Sequence, residues 1–143
     1  MKIQDIMTRN VEVAHPTDTV QSIAQKMAKG DFGFMPVCDG KTVIGTITDR
    51  DLTIRALAGA KPPSTTVSEV MTSEVTCLRT DDDIEDVLTK MGDEQVRRFP
   101  VVDELKQLVG VVSIGDLARE GKANRTGEAL QEISRSRGEG LLS

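Results

Sequence analysis

Tryptophan and tyrosine are absent from this chain, and phenylalanine occurs only three times. Stacking of nucleobases on aromatic side chains, the common device of single-strand binders, therefore has little to work with. Histidine occurs once, as His15 beside Pro16, where a solvated turn residue is expected rather than a catalytic base. No Ser-His-Asp, Cys-His or zinc-ligand cluster is present, so nucleophilic and metal catalysis have no candidate machinery. The P-loop pattern G-x-x-x-x-G-K-[ST] and the Rossmann pattern G-x-G-x-x-G are also missing. Two cysteines, Cys38 and Cys77, lack metal-type spacing and are expected to be buried free thiols in a reducing cytosol. No apolar run approaches the ~20 residues that span a bilayer. The start, Met1-Lys2-Ile3-Gln4-Asp5-Ile6, carries charges and no apolar h-region, so no secretory signal is expected. A basic excess is lacking as well: net charge is −5 and the pI about 4.9, which disfavours non-specific binding to nucleic acid or acidic membranes.

What the chain does contain is a repeat. Met7-Thr8 recurs as Met71-Thr72, and Pro36-Val37 as Pro100-Val101, both 64 residues on. Gly45-Thr46-Ile47-Thr48-Asp49-Arg50-Asp51 recurs as Gly110-Val111-Val112-Ser113-Ile114-Gly115-Asp116, 65 residues on. The slip falls where Asp39-Gly40-Lys41 is replaced by Asp103-Glu104-Leu105-Lys106, which places the extra residue in a turn between strands. A unit of roughly 60 residues buries its apolar face poorly alone, so the two copies are expected to pair.

Each copy reads strand–helix–strand–strand–helix. Val11-Glu12-Val13 alternates as a short strand, and His15-Pro16-Thr17-Asp18 supplies turn and N-cap chemistry. Val20, Ile23, Ala24 and Met27 then form the stripe of an amphipathic helix. In the second copy the strand is Val75-Thr76-Cys77, the helix start Thr80 to Asp83, and the stripe Ile84, Val87, Leu88 and Met91. Phe32 to Cys38 and Val96 to Val102 are strands carrying a proline, which predicts an edge position or an irregular entry. Hairpin strands follow at Val43–Ile47 and Leu108–Val112, then second helices at Asp49–Leu57 and Ile114–Arg119. The expected boundaries are 1–59 for the first repeat, 60–66 for a proline-containing linker, 67–120 for the second repeat and 121–143 for a tail. Within the tail, Thr126 to Arg135 forms a short helix with Ala129, Leu130 and Ile133 as a weak stripe, and Ser136 to Ser143 frays.

Thr48-x-x-Asp51 and Ser113-x-x-Asp116 stand where a strand gives way to a helix. Two readings are open. A hydroxyl followed three residues later by an acid is a capping box, which satisfies helix N–H groups without any ligand. The same pair also suits a ribose phosphate, because a helix start favours an anion and a carboxylate accepts from a sugar diol. Register identity in both copies favours the second reading, as do Gly45 and Gly110 upstream, where a chain or ligand can approach the backbone closely.

Asp5-Ile6-Met7-Thr8, Met35-Pro36-Val37 and Gly45-Thr46-Ile47-Thr48-Asp49-Arg50-Asp51-Leu52, with their second-copy partners, resemble a tandem cystathionine-β-synthase-type (CBS) pair, or Bateman module. The resemblance covers about residues 1–120, and the Thr-Asp-Arg-Asp-Leu form is similar to small stand-alone bacterial members. It implies an α+β fold of two β-α-β-β-α repeats related by a pseudo-twofold axis and packed through their sheets. It also implies clefts between the repeats for AMP, ADP, ATP or S-adenosylmethionine, and homodimers. Residue by residue, Thr48 and Ser113 match the family's phosphate-contacting hydroxyl, and Asp51 and Asp116 its ribose-binding acid. Glu12 and Thr76, with Phe32 to Phe34 and Val96 to Arg98, match positions that bracket the base.

The copies differ where charge matters. Arg50 sits inside the first motif, while the second has Gly115 there and offers Arg97 and Arg98 on the preceding strand, opposite Phe34 in the first. Site two is accordingly expected to favour phosphates, and site one to be more apolar. The functional expectation is a cytoplasmic regulatory module, not an enzyme. It needs no cofactor and binds an adenosine-containing ligand that changes a homodimer or its contact with an unidentified protein target, with neither membrane nor nucleic acid as partner. The alternative is a ligand-free protein whose Leu52, Ile54, Leu57 and Leu117 serve dimerisation or docking.

Overall fold

The computed structural model describes residues 1–120 and 123–138. The chain divides into two compact units that do not coincide with the sequence repeats. One, the first-hairpin unit, comprises Val11–Val75 with Lys106–Leu108. The other, the second-hairpin unit, comprises Met1–Asn10, Thr76–Leu105 and the chain from Val109 onward. Each unit thus takes its leading segment from the start of the other repeat.

In the first-hairpin unit, helix α1 (Val20–Gly30) starts where the Thr19 side chain accepts from the Ser22 N–H at 3.1 Å. The cap is therefore Thr19, one residue beyond the expected turn; Asp18 instead accepts from the His15 N–H at 2.9 Å. The helix ends at Asp31 in the left-handed region, with φ 56°. Val20, Ile23 and Met27 face the core, but Ala24 of the expected stripe is exposed. Strands β1 (Phe34–Asp39) and β2 (Thr42–Thr48) form an antiparallel hairpin. Helix α2 (Asp49–Asp51) continues into a π-helical stretch, Leu52–Leu57, in which Ala58 N donates to Thr53 O. The short helix α3 (Val67–Val70) inserts Val67 and Val70 beside Ala14, Ile23, Met35, Val37 and Ile47.

The second-hairpin unit repeats this plan. It contains β3 (Leu78–Arg79), α4 (Ile84–Glu94), β4 (Arg98–Val102), β5 (Leu108–Ser113), α5 (Ile114–Arg119) and α6 (Ala123–Gly138). Asp83 caps α4, and Gln95 ends it with φ 58°, the counterpart of Asp31. Ile84, Val87, Leu88 and Met91 are all buried, as their spacing predicts. Ile3, from a 3-10 turn over Ile3–Asp5, packs into the same core with Phe99, Val101, Val112 and Leu117. Helix α6 is longer than the expected 126–135 segment and buries Ala129 and Ile133 against this core, leaving Leu130 40% exposed. Of the expected frayed end, 139–143 lies outside the described residues.

Three expectations about strands need correction. Residues 11–13 and 75–77 are not strands; pairing is confined to an Ala14–Val37 bridge in one unit and to Leu78–Arg79 against Val101–Val102 in the other. The alternation at 11–13 reflects half-burial of Val11 and Val13 around exposed Glu12, without a ladder. Nor is the second proline strand an edge, because β4 lies between β3 and β5. Pro36 shows how a paired strand accommodates proline. It faces Thr46, whose N–H and carbonyl both engage Thr72 at 2.9 Å, so no hydrogen bond across the hairpin is asked of it. The slip between copies falls in the hairpin turns as expected, with Gly40 at φ 62° in one and Lys106 at φ 62° in the other.

Candidate functional site

Each unit builds the same strand-to-helix junction. In the first, Thr48 closes β2 opposite Phe34, and its Oγ1 accepts from the Asp51 N–H at 3.1 Å. The Thr48 N–H donates to Asp51 Oδ2 at 3.0 Å, and Asp49 N donates to the Gly33 carbonyl at 3.0 Å. In the second, Ser113 Oγ accepts from the Asp116 N–H at 3.2 Å, and Ser113 N donates to Asp116 Oδ2 at 2.9 Å. Ile114 N donates to the Arg97 carbonyl at 2.9 Å. Both capping boxes are therefore formed, and each junction is held by one carbonyl from the residue just ahead of β1 or β4. Neither hydroxyl donates its own proton to an acceptor among the described residues, so each keeps a donor in hand.

The carboxylates are buried and already engaged. Asp51 is 9% and Asp116 8% exposed. Asp51 Oδ1 accepts from the Thr72 hydroxyl at 3.4 Å and lies 3.8 Å from Arg55 Nε. Asp116 Oδ1 pairs with Arg119, a guanidinium that is itself largely exposed. Each oxygen has a second lone pair, so a ligand diol is accommodated only alongside these partners. Sequence reasoning marked Thr72 only as part of the repeat and did not single out Arg55 or Arg119. Arg55 and Arg119 were legible as cations one helical turn past an acid.

The two glycines have a different role from the one their spacing suggested. A Cβ on Gly45 would lie 2.6 Å from the Thr72 carbonyl oxygen, and one on Gly110 would lie 2.8 Å from that of Thr8. The close neighbour is thus the recurring Met-Thr segment of the chain itself. Thr8 and Val111 exchange both backbone hydrogen bonds at 2.9 Å, as Thr72 and Thr46 do. The glycines therefore make room for packing of the chain on itself.

The remaining candidates are placed unevenly. Phe34 is half-buried across from Thr48, while Arg50, Arg97 and Arg98 are exposed and make no ion pair among the described residues. Glu12 is exposed, with no hydrogen bond among the described residues. Thr76 is tied to the end of α4, where its hydroxyl donates to Glu94 at 2.6 Å. Leu117 is fully buried, which removes it from any docking surface, whereas Ile54 and Leu57 are 53% and 76% exposed. Burial pushes the Cys77 thiol above its ordinary pKa, as fits an unreactive half-buried cysteine. Among the described residues no helix is long and apolar enough to cross a membrane.

Comparison with known proteins bears on both copies. A family model described as CBS domain matches residues 3–57 and again 67–122. YlbB of Bacillus subtilis (strain 168) is 38% identical over 136 residues, 93% of this chain and 91% of that protein. Hypoxic response protein 1 of Mycobacterium tuberculosis is 36% identical over 118 residues, 81% of this chain and 82% of its own. Its crystal structure with two coordinated zinc ions aligns with a TM-score of 0.77 at 34% identity, covering 84% of this chain and 98% of that one. Among the described residues no group of three or more His, Cys, Asp or Glu side chains is placed to hold a metal. The CBS domain pair of protein MJ0100, solved with 5′-methylthioadenosine and S-adenosyl-L-methionine, aligns with a TM-score of 0.76 at 26% identity, covering 87% and 98% of the two chains. With both halves matched and the same junction built twice, the chain belongs to the CBS-domain family as a tandem pair.

Proposed function

We propose that this protein is a regulatory module that binds adenosine-containing small molecules at its two strand-to-helix junctions and performs no chemistry on them. The observation that carries the reading is the duplicated junction itself. Thr48 and Ser113 each hold an unused hydroxyl proton beside a buried acid, in the same register, in a fold whose relative MJ0100 is known with two adenosine ligands. The hydroxyl donates to a ligand oxygen, and Asp51 or Asp116 accepts from the ribose. Binding shifts the protein toward whichever arrangement holds the ligand more tightly, by no more than the difference in affinity. In this reading the protein works in the cytoplasm as a homodimer, and the response passes to a protein target. A ligand-free docking role is the second reading, favoured by the exposed Ile54 and Leu57.

Because the chain has neither Trp nor Tyr, a co-purified nucleotide dominates the spectrum near 260 nm. Calorimetry with AMP, ATP and S-adenosylmethionine is expected to show micromolar binding, about −8 kcal/mol. Absence of heat with all three, together with a featureless spectrum, sinks the reading. Asp51→Ala and Asp116→Ala are each expected to weaken one site by about tenfold or more, the scale of a hydrogen bond to a charged group. Each also removes half of a capping box, which costs about 0.5–2 kcal/mol and leaves the protein folded. Variants that unfold, or that bind as wild type does, assign both acids to capping alone.

A further inference from the structure

The residue following the junction hydroxyl differs between the copies, and with it the charge that a ligand meets. In the first-hairpin unit it is Asp49, whose Oδ1 accepts from the Arg50 N–H at 2.9 Å. The other oxygen, Oδ2, lies close against Gly33, where an added Cβ would be 2.6 Å away. With Asp49 N donating to Gly33 and Asp51 N to Thr48, the first three N–H groups of this junction all have acceptors within the chain. The Asp49 carboxylate thus takes up the Arg50 N–H that an incoming anion would otherwise use.

In the second-hairpin unit the same position is Ile114, which packs on the core and carries no charge. The Gly115 N–H that follows has no acceptor among the described residues, and Arg97, just ahead of β4, and Arg98, its first residue, are exposed. A further difference lies one pleat back along β2. Thr46 shares a strand face with Thr48, is 9% exposed, and its hydroxyl finds no partner among the described residues. Its counterpart is the apolar Val111. The first junction therefore offers an unmet neutral hydroxyl, an acid and the single cation Arg50, and the second an open amide and two cations.

We propose that Asp49 is a specificity-determining residue that closes the Thr48 junction to phosphate, so that this copy takes adenosine compounds without a phosphate while phosphate-bearing ones go to the Ser113 junction. The inference rests on the adenosine reading above and assigns a different ligand class to each copy. Like-charge repulsion from Asp49, together with the loss of the Arg50 N–H as a donor, is the discriminating force.

The test uses the full chain and two probes, AMP and 5′-methylthioadenosine, by isothermal calorimetry. Wild type is expected to bind AMP once per chain and 5′-methylthioadenosine at the other copy, with the AMP lost in Asp116→Ala and the thioether lost in Asp51→Ala. Asp49→Asn keeps the acceptor for the Arg50 N–H and removes only the charge, and is expected to open a second AMP site. The converse, Ile114→Asp, is expected to weaken AMP binding by about tenfold or more, as for loss of a charge-assisted contact. Ile114→Asn, equally disruptive to packing but uncharged, retains binding. Two equivalent AMP molecules per wild-type chain, or an Asp49→Asn titration identical to wild type, overturns the inference and leaves the adenosine reading standing. So does 5′-methylthioadenosine binding with no AMP bound at either copy. Failure of wild type to bind either probe overturns the inference, and failure with ATP and S-adenosylmethionine as well overturns both.

Discussion

At the scale of single residues, two glycines carry more of the architecture than their lack of a side chain suggests. Gly45 and Gly110 let a Met-Thr segment lie flat on a hairpin strand, with Met71 and Met7 sulfur atoms 3.1 Å and 2.8 Å from where a Cβ would stand. Gly45→Ala or Gly110→Ala forces that segment away and is expected to destabilise the protein by about 1–3 kcal/mol, seen as a lower urea midpoint at unchanged slope. The repeat made these glycines visible, but a single sequence does not say whether the body they admit is ligand or chain. The capping boxes were legible for the opposite reason: hydroxyl and acid are three residues apart, so their partnership is local. Thr72 on Asp51 was not legible, because the contact spans 21 residues and depends on the fold bringing them together.

At the scale of elements, helices announced themselves and short ladders did not. The α4 stripe is buried throughout because every stripe position is large and apolar, whereas Ala24 on α1 gains too little from burial to hold a place in the core. Residues 11–13 alternate without pairing, since period-two burial in an extended chain has the same sequence signature as a strand. Helix α6 shows what a weak stripe can do when a receptive surface exists. Gly92 of α4 brings Ala129 within 3.7 Å of a would-be Cβ, and Gln95 Nε2 donates to the Glu132 carbonyl at 3.3 Å. Ile133→Ala is expected to cost about 2 kcal/mol, the low end for a buried isoleucine, in chemical denaturation. Leu130→Ala, on the exposed side of the same helix, should stay within about 0.5 kcal/mol of wild type.

At the scale of the whole molecule, the repeats in sequence and the units in space are different partitions of one chain. Ile3 is fully buried in the core that contains Leu117, and Val67 in the core that contains Ile23. Deleting residues 1–10 is therefore expected to loosen the second-hairpin unit while sparing α1 and the β1–β2 hairpin. Hydrogen exchange checks this: protection should fall in α4 and β4 and persist in β1. The exchange of leading segments also sets an order on synthesis. Thr8 waits for Val111, 103 positions later, before its backbone hydrogen bonds can form. At roughly 5–20 residues per second Thr8 remains without its native partner for about 5–20 s after it is made, while Ile3 and Gln4 meet Asp82 and Thr80 sooner. The first-hairpin unit, by contrast, has its leading segment in hand once Val75 has emerged. Residues 1–10 are thus made early but finished late, and a nascent chain stalled midway carries them with nowhere to dock.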